Sequence, residues 1–150
     1  MSWSPDQQER LAYESEILRC ELPQFRVYNH RGNTYMAGMQ GTNGNYREYE
    51  LTLRLSEEYP YEKPELFVTS PITLWKYDSE STINEEGLSH DFHTRSNGPD
   101  GCVQICHFKD WNSSNTCVAV FLKGILWLQA YEFHLCTGDD IEVFFRQPRY

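Results

Sequence analysis

Tyr49-Glu50-Leu51-Thr52-Leu53-Arg54-Leu55, followed three residues later by Tyr59-Pro60-Tyr61-Glu62-Lys63-Pro64, is the stretch on which the fold turns. Tyr49, Leu51, Leu53 and Leu55 alternate with Glu50, Thr52 and Arg54, the two-residue period of a strand with one buried face. Two prolines bar the next segment from the middle of a sheet, so it reads as a turn. Leu66 to Thr69 then resumes as a short strand. Upstream, Gly41-Thr42-Asn43-Gly44-Asn45 is a turn, because Asn-Gly tolerates the positive φ angles of tight hairpins. Extended segments at Phe25 to Tyr28 and Thr34 to Gln40 precede it.

Helices flank this block. Ser4-Pro5-Asp6-Gln7 has the form of a helix start, with Ser4 as cap and Gln7 where a capping box needs it. Leu11, Leu18 and Leu22 follow on one face, with Tyr13, Ile17 and Cys20 beside them, and Pro23 ends the element. Residues 77 to 101 are polar and turn-rich, culminating in Asn97-Gly98-Pro99-Asp100-Gly101, and read as a long loop of functional interest. After Trp111, Asn112-Ser113-Ser114-Asn115 offers helix caps. Phe121, Ile125, Leu128 and Tyr131 then recur at helical spacing up to Gly138. Consecutive hairpin-joined strands flanked by helices define an α+β class: an N-terminal helix, an antiparallel meander sheet of about four strands, the long loop, and a C-terminal helix packed on the sheet. The odd-numbered side of Tyr49 to Leu55 is expected to face the helix bearing Phe121 and Leu128.

Length and charge narrow the function classes. The chain has 150 residues, one domain's worth, and 39% apolar content with 15% aromatics is too hydrophobic for disorder. Thirteen basic against 22 acidic residues leave a net charge of −9, which repels nucleic acid and anionic membrane. The longest apolar run, Cys117 to Leu122, is too short to cross a bilayer. Met-Ser-Trp-Ser-Pro-Asp lacks the features of a secretion signal. Five cysteines without disulfide-like spacing read as reduced thiols of a cytoplasmic protein.

Several segments, in order, resemble the ubiquitin-conjugating enzyme family. Tyr49 to Leu53 followed by Tyr59 to Leu66 is similar to that family's strand and Tyr-Pro-x-x-x-Pro turn. Phe92-His93 resembles the opening of its His-Pro-Asn segment, and Gly101 to Cys106, ending Ile105-Cys106, the stretch that carries the catalytic cysteine. Trp111 to Thr116 is similar to the Trp-Ser-Pro-x-x-Thr leading into the next helix. The resemblance spans roughly residues 4 to 135. Trp127-Leu128-Gln129-Ala130-Tyr131-Glu132 with Thr137-Gly138 is similar to conjugating-enzyme-like proteins of bacterial antiphage operons, some of which encode a cyclic-nucleotide synthase or a complete ubiquitin-like pathway.

The resemblance implies a cysteine acyltransferase that uses no cofactor or metal. Its thiol would receive the activated C-terminus of a protein donor, a ubiquitin-like protein or a cyclic-nucleotide synthase, with an activating enzyme as a further partner. The same fold also serves as a non-enzymatic adaptor that binds a ubiquitin-like protein or partner enzyme. Departures are visible. Thr94-Arg95 stands where the family has Pro-Asn, and residues 1 to 24 carry five acids and two bases where the family's first helix is basic. A partner docking there should be basic, and charge reversal at Glu9, Glu14 and Glu16 should slow its association. Little chain follows Gly138 for the family's last two helices.

Thiol chemistry suits this role, since a thiolate is a good nucleophile and a good leaving group. Cys106 is the candidate nucleophile, with His93 and His107 placed to lower its pKa or orient a partner. Cys102 is the rival, because its interval to Trp111 matches the family better. Asn97 is either a replacement oxyanion donor or a turn residue beside Gly98. Cys20 and Cys117 are expected in the core, and Cys136 has no assigned role. His90, His93, Cys102 and Cys106 could instead bind zinc, although their spacing is not that of a zinc finger.

Overall fold

The computed structural model describes residues 3–42 and 47–146. Helix α1 (Pro5–Glu21) begins at the predicted capping box, with the Gln7 N–H donating to Ser4 Oγ and the Ser4 N–H to Gln7 Oε1. Four strands follow as an antiparallel meander: β1 (Arg26–His30), β2 (Asn33–Gly41), β3 (Glu48–Leu55) and β4 (Glu65–Ser70). The Thr42 N–H bonds Arg47 O at 3.2 Å between β2 and β3, while Asn43, Gly44 and Asn45 of the predicted turn lie outside the described residues.

The sheet has six strands rather than about four. Beyond β4 come β6 (Val103–Ile105) and then β5 (Thr94–Arg95), giving the order β1-β2-β3-β4-β6-β5. Strands of three and two residues are too short to show alternation. β5 forms by pairing with the edge of β6, since two residues, even with a strand-favouring Thr, carry too little propensity to specify a strand alone. The polar stretch 77–101 is therefore not a single loop. It holds 3-10 turns at Ile83–Glu86 and Pro99–Gly101 as well as β5.

Helix α2 (Cys117–Thr137) crosses the inner face of the sheet. Leu51, Leu53, Leu55, Leu66, Val68, Val103 and Ile105 share one core with Phe121, Trp127 and Leu128, as expected for the odd-numbered side of β3. Gly124 permits the close approach, because a Cβ there would lie 2.6 Å from Leu66 Cδ2. Thr116, rather than any of residues 112–115, caps α2 by accepting the Ala119 N–H at 3.2 Å. Asn112 instead closes its own turn through Ser114. Gly138, at φ 81°, ends α2 in a left-handed cap, and a short helix α3 (Ile141–Arg146) packs back against α2. No described helix is long and apolar enough to cross a membrane.

Two residues of α1 depart from expectation. Glu14 is fully buried, and Cys20 is exposed. Helical geometry explains both: Glu14 falls between Leu11 and Leu18 on the packed face, whereas Cys20, two residues past Leu18, points the other way. The Glu14 carboxylate accepts from the Tyr59 hydroxyl and from the Cys117 N–H at 3.2 Å, and lies 3.4 Å from Arg10 Nε. It thereby ties α1 to the Tyr-Pro turn and to the N-terminus of α2. Only Glu9 and Glu16 of the three named acids are surface charges.

Candidate functional site

Val103 and Ile105 point into the core, so alternation along β6 sends Cys102, Gln104 and Cys106 to the opposite face. The two candidate thiols share that face but not its exposure. Cys102 is 2% exposed, whereas Cys106 is half-buried at the strand end. The turn before β6 causes the difference. Gly98 lies on the Phe67 ring, where a Cβ would meet Cε1 at 2.3 Å, and its N–H bonds Cys102 O at 2.9 Å. This closes the turn over Cys102, and burial pushes its thiol pKa up. Gly98→Ala should lift the turn off Phe67 and raise alkylation of Cys102 severalfold, read by peptide mass spectrometry. Unchanged protection would place the cover elsewhere.

His93 reaches Cys106 through the ladder. Thr94 pairs with Ile105 and Arg95 with Gln104. One further step sets His93 opposite Cys106, and the Cys106 N–H donates to His93 O at 2.9 Å. At φ 51° His93 adopts the left-handed conformation, turning the chain out of β5. Its ring stacks on Phe145 at 4.6 Å and lies 5.7 Å from His90. Its Nε2 is hydrogen-bonded to the Glu142 carboxylate of α3. That bond, reinforced by the charges of His93, His90 and Arg146, holds the Glu142 carboxyl below the usual range. Helix α3 is itself anchored by buried Ile141 and by the Glu142 N–H on Asp91 O at 2.9 Å. No motif points to Glu142, which the sequence offers only as one acid in a short final segment.

The other side of Cys106 is held by the Tyr-Pro turn. His107 Nε2 donates to Pro64 O at 2.7 Å, Lys63 Nζ to Phe108 O at 2.9 Å, and Trp111 Nε1 to Pro60 O at 2.8 Å. Trp111 is thus a packing and clamping residue. Burial pushes the His107 pKa down from 6.5 to about 4, so the imidazole is neutral at physiological pH, with Nδ1 buried and without a hydrogen-bond partner. Between 6.5 and about 4 the unfolded chain takes up a proton that folded His107 does not. The stability from this site is therefore complete above that window and lost as the pH falls through it. The gap in unfolding free energy between wild type and His107→Gln should shrink between about pH 7 and about pH 5. A constant gap would contradict the burial argument.

Asn97 is exposed, and its Nδ2 donates to Asn84 O at 2.8 Å. Asn84 in turn donates to Ile72 O and Gly101 O and accepts from the Leu74 N–H. This amide fastens the turn that closes over Cys102, which favours the turn-residue reading of Asn97. The zinc set is not assembled, since among the described residues no three His, Cys, Asp or Glu side chains converge as metal ligands. Cys117 is buried in the core as expected, and Cys136 is exposed on α2. No protein-family model matches the chain, and no curated protein does.

Proposed function

We propose that the chain is a ubiquitin-conjugating-enzyme-like cysteine acyltransferase of bacterial antiviral defence, acting in the cytoplasm. In this reading Cys106 accepts the activated C-terminal carboxyl group of a protein donor as a thioester and passes it to an amine. A ubiquitin-like protein or a cyclic-nucleotide synthase is the proposed donor, and such a synthase is also a proposed target. The observation that carries the reading is the contrast between the two thiols of the β6 face. Cys106 is half-buried at the strand end, paired through its backbone with a histidine, while Cys102 is covered and its ionisation opposed.

The chemistry needs nothing beyond side chains. The thiolate attacks the donor's acyl carbon, a C–S bond forms, and the donor's leaving group departs with its electron pair. An amine then attacks the thioester, the C–S bond breaks, and the thiolate is regenerated. The test is an adduct between this chain and an activated donor that disappears on addition of a thiol reductant. Stable binding of such donors without any adduct would favour the adaptor reading.

A further inference from the structure

Glu142 lies outside every segment that carries the family resemblance, yet it is hydrogen-bonded to the side chain of His93, the residue whose main-chain O accepts the Cys106 N–H. A carboxylate only accepts, so the ring nitrogen it engages, Nε2, is the one that carries hydrogen. Nδ1 is then left as the ring's proton acceptor. Packing fixes the arrangement from three sides: Phe145 against the ring, the Asp91 carbonyl under the N-terminus of α3, and Ile141 in the core. His93 and Glu142 are both largely shielded, at 25% and 20% side-chain exposure, which strengthens a charge interaction relative to a surface pair. Other charged or titratable groups near His93 among the described residues include His90 and Asp91 in the preceding turn, Arg146 on α3 and Cys106 just past the end of β6.

We infer that Glu142 is a positioning residue, orienting His93 so that Nδ1 takes the proton of Cys106 and stabilising the imidazolium that results. This rests on the reading of Cys106 as the acyl-carrying thiol. As the S–H bond breaks, the Nδ1–H bond forms and the thiolate attacks the acyl carbon of the activated donor. The donor's leaving group departs with its electron pair and, where it is a thiolate, takes the proton from His93. In this reading the nucleophile lies just past the end of β6, the base in the turn before β5 and the orienting carboxylate on α3, and a base beside a thiol is the means by which such a nucleophile is activated.

The test needs no donor. With Cys20→Ser and Cys136→Ser removing the exposed thiols, the rate of iodoacetamide alkylation at Cys106 is followed by peptide mass spectrometry across pH. Glu142→Gln, which keeps shape and loses charge, is expected to slow alkylation at neutral pH by about tenfold, with Glu142→Asp restoring part of the rate. The deficit should close near about pH 10, where hydroxide ionises a thiol without help. In a His93→Gln background, Glu142→Gln should have no further effect, since its influence runs through that ring. An unchanged neutral rate, a deficit that persists at alkaline pH as a displaced loop would give, or a full effect without His93 each overturns the inference. Such a failure leaves acyl transfer standing if the reductant-sensitive adduct still forms on Cys106. Loss of the adduct with the Glu142 dependence intact counts against acyl transfer alone.

Discussion

Glu14→Ala is expected to lower the unfolding free energy by about 3 kcal/mol or more, the range for breaking a buried ion pair from one side. Two donors lose an acceptor, the Tyr59 hydroxyl and the Cys117 N–H at the start of α2, and the Arg10 guanidinium loses its counter-charge. Arg10 also donates to Ser113 O at 2.6 Å and Asn115 O at 2.8 Å, so the turn leading into α2 loosens with it. Burial pushes the Tyr59 hydroxyl pKa up, so it cannot ionise in compensation and is left with only the weakly accepting Cys117 Sγ at 3.1 Å. Against a typical total of about 5–15 kcal/mol such a loss moves the urea midpoint far. Glu14→Gln keeps an oxygen for Cys117 but leaves Arg10 without its counter-charge, and should fall between. A loss below about 1 kcal/mol for Glu14→Ala would mean that solvent enters and satisfies these groups.

Cys106→Ser is the substitution with the largest expected effect on activity. The hydroxyl is a poorer nucleophile than a thiolate and a poorer leaving group from the acyl intermediate. Adduct formation should slow by on the order of a hundredfold or more, and what forms should be an oxyester that survives thiol reductant. Cys102→Ser should leave the labile adduct in place, because Cys102 is 2% exposed beneath the Gly98 turn. The reverse pattern would make Cys102 the nucleophile and the cysteine-to-tryptophan interval the better guide. Monitoring both variants by gel shift with and without reductant separates the two assignments.

The larger elements were legible because each carries a long repeating signal. Four alternating positions specify β3, the capping box specifies the start of α1, and Phe121, Leu128 and Tyr131 specify the inner face of α2. What sequence could not give is what arises from pairing between distant segments. β5 has no pattern of its own and is created by the register Thr94 with Ile105. The same register sets His93 opposite Cys106, so that neighbourhood cannot be read from the spacing of 93 and 106. An even offset places Cys102 and Cys106 on one face, but the packing of the Gly98 turn on Phe67, which covers Cys102 and not Cys106, comes from residues that neither spacing reveals. Glu14 is the instructive miss. Its position between Leu11 and Leu18 marks a packed face, and its charge argued for the surface; Arg10 is one helical turn away, but the hydrogen-bond donors that make burial tolerable come from Tyr59 and Cys117, remote in sequence.

The central claim is that Cys106 carries the acyl group. It is tested most directly by mapping a trapped adduct. The chain is mixed with an activated donor, quenched at acid pH without reductant, digested and analysed by peptide mass spectrometry. The account predicts the donor's C-terminal residue joined to the peptide containing Cys106 through a reductant-cleavable bond, with Cys102, Cys20 and Cys136 unmodified. An adduct on Cys102, or one distributed over the exposed thiols Cys20 and Cys136 while Cys106 stays free, would contradict it.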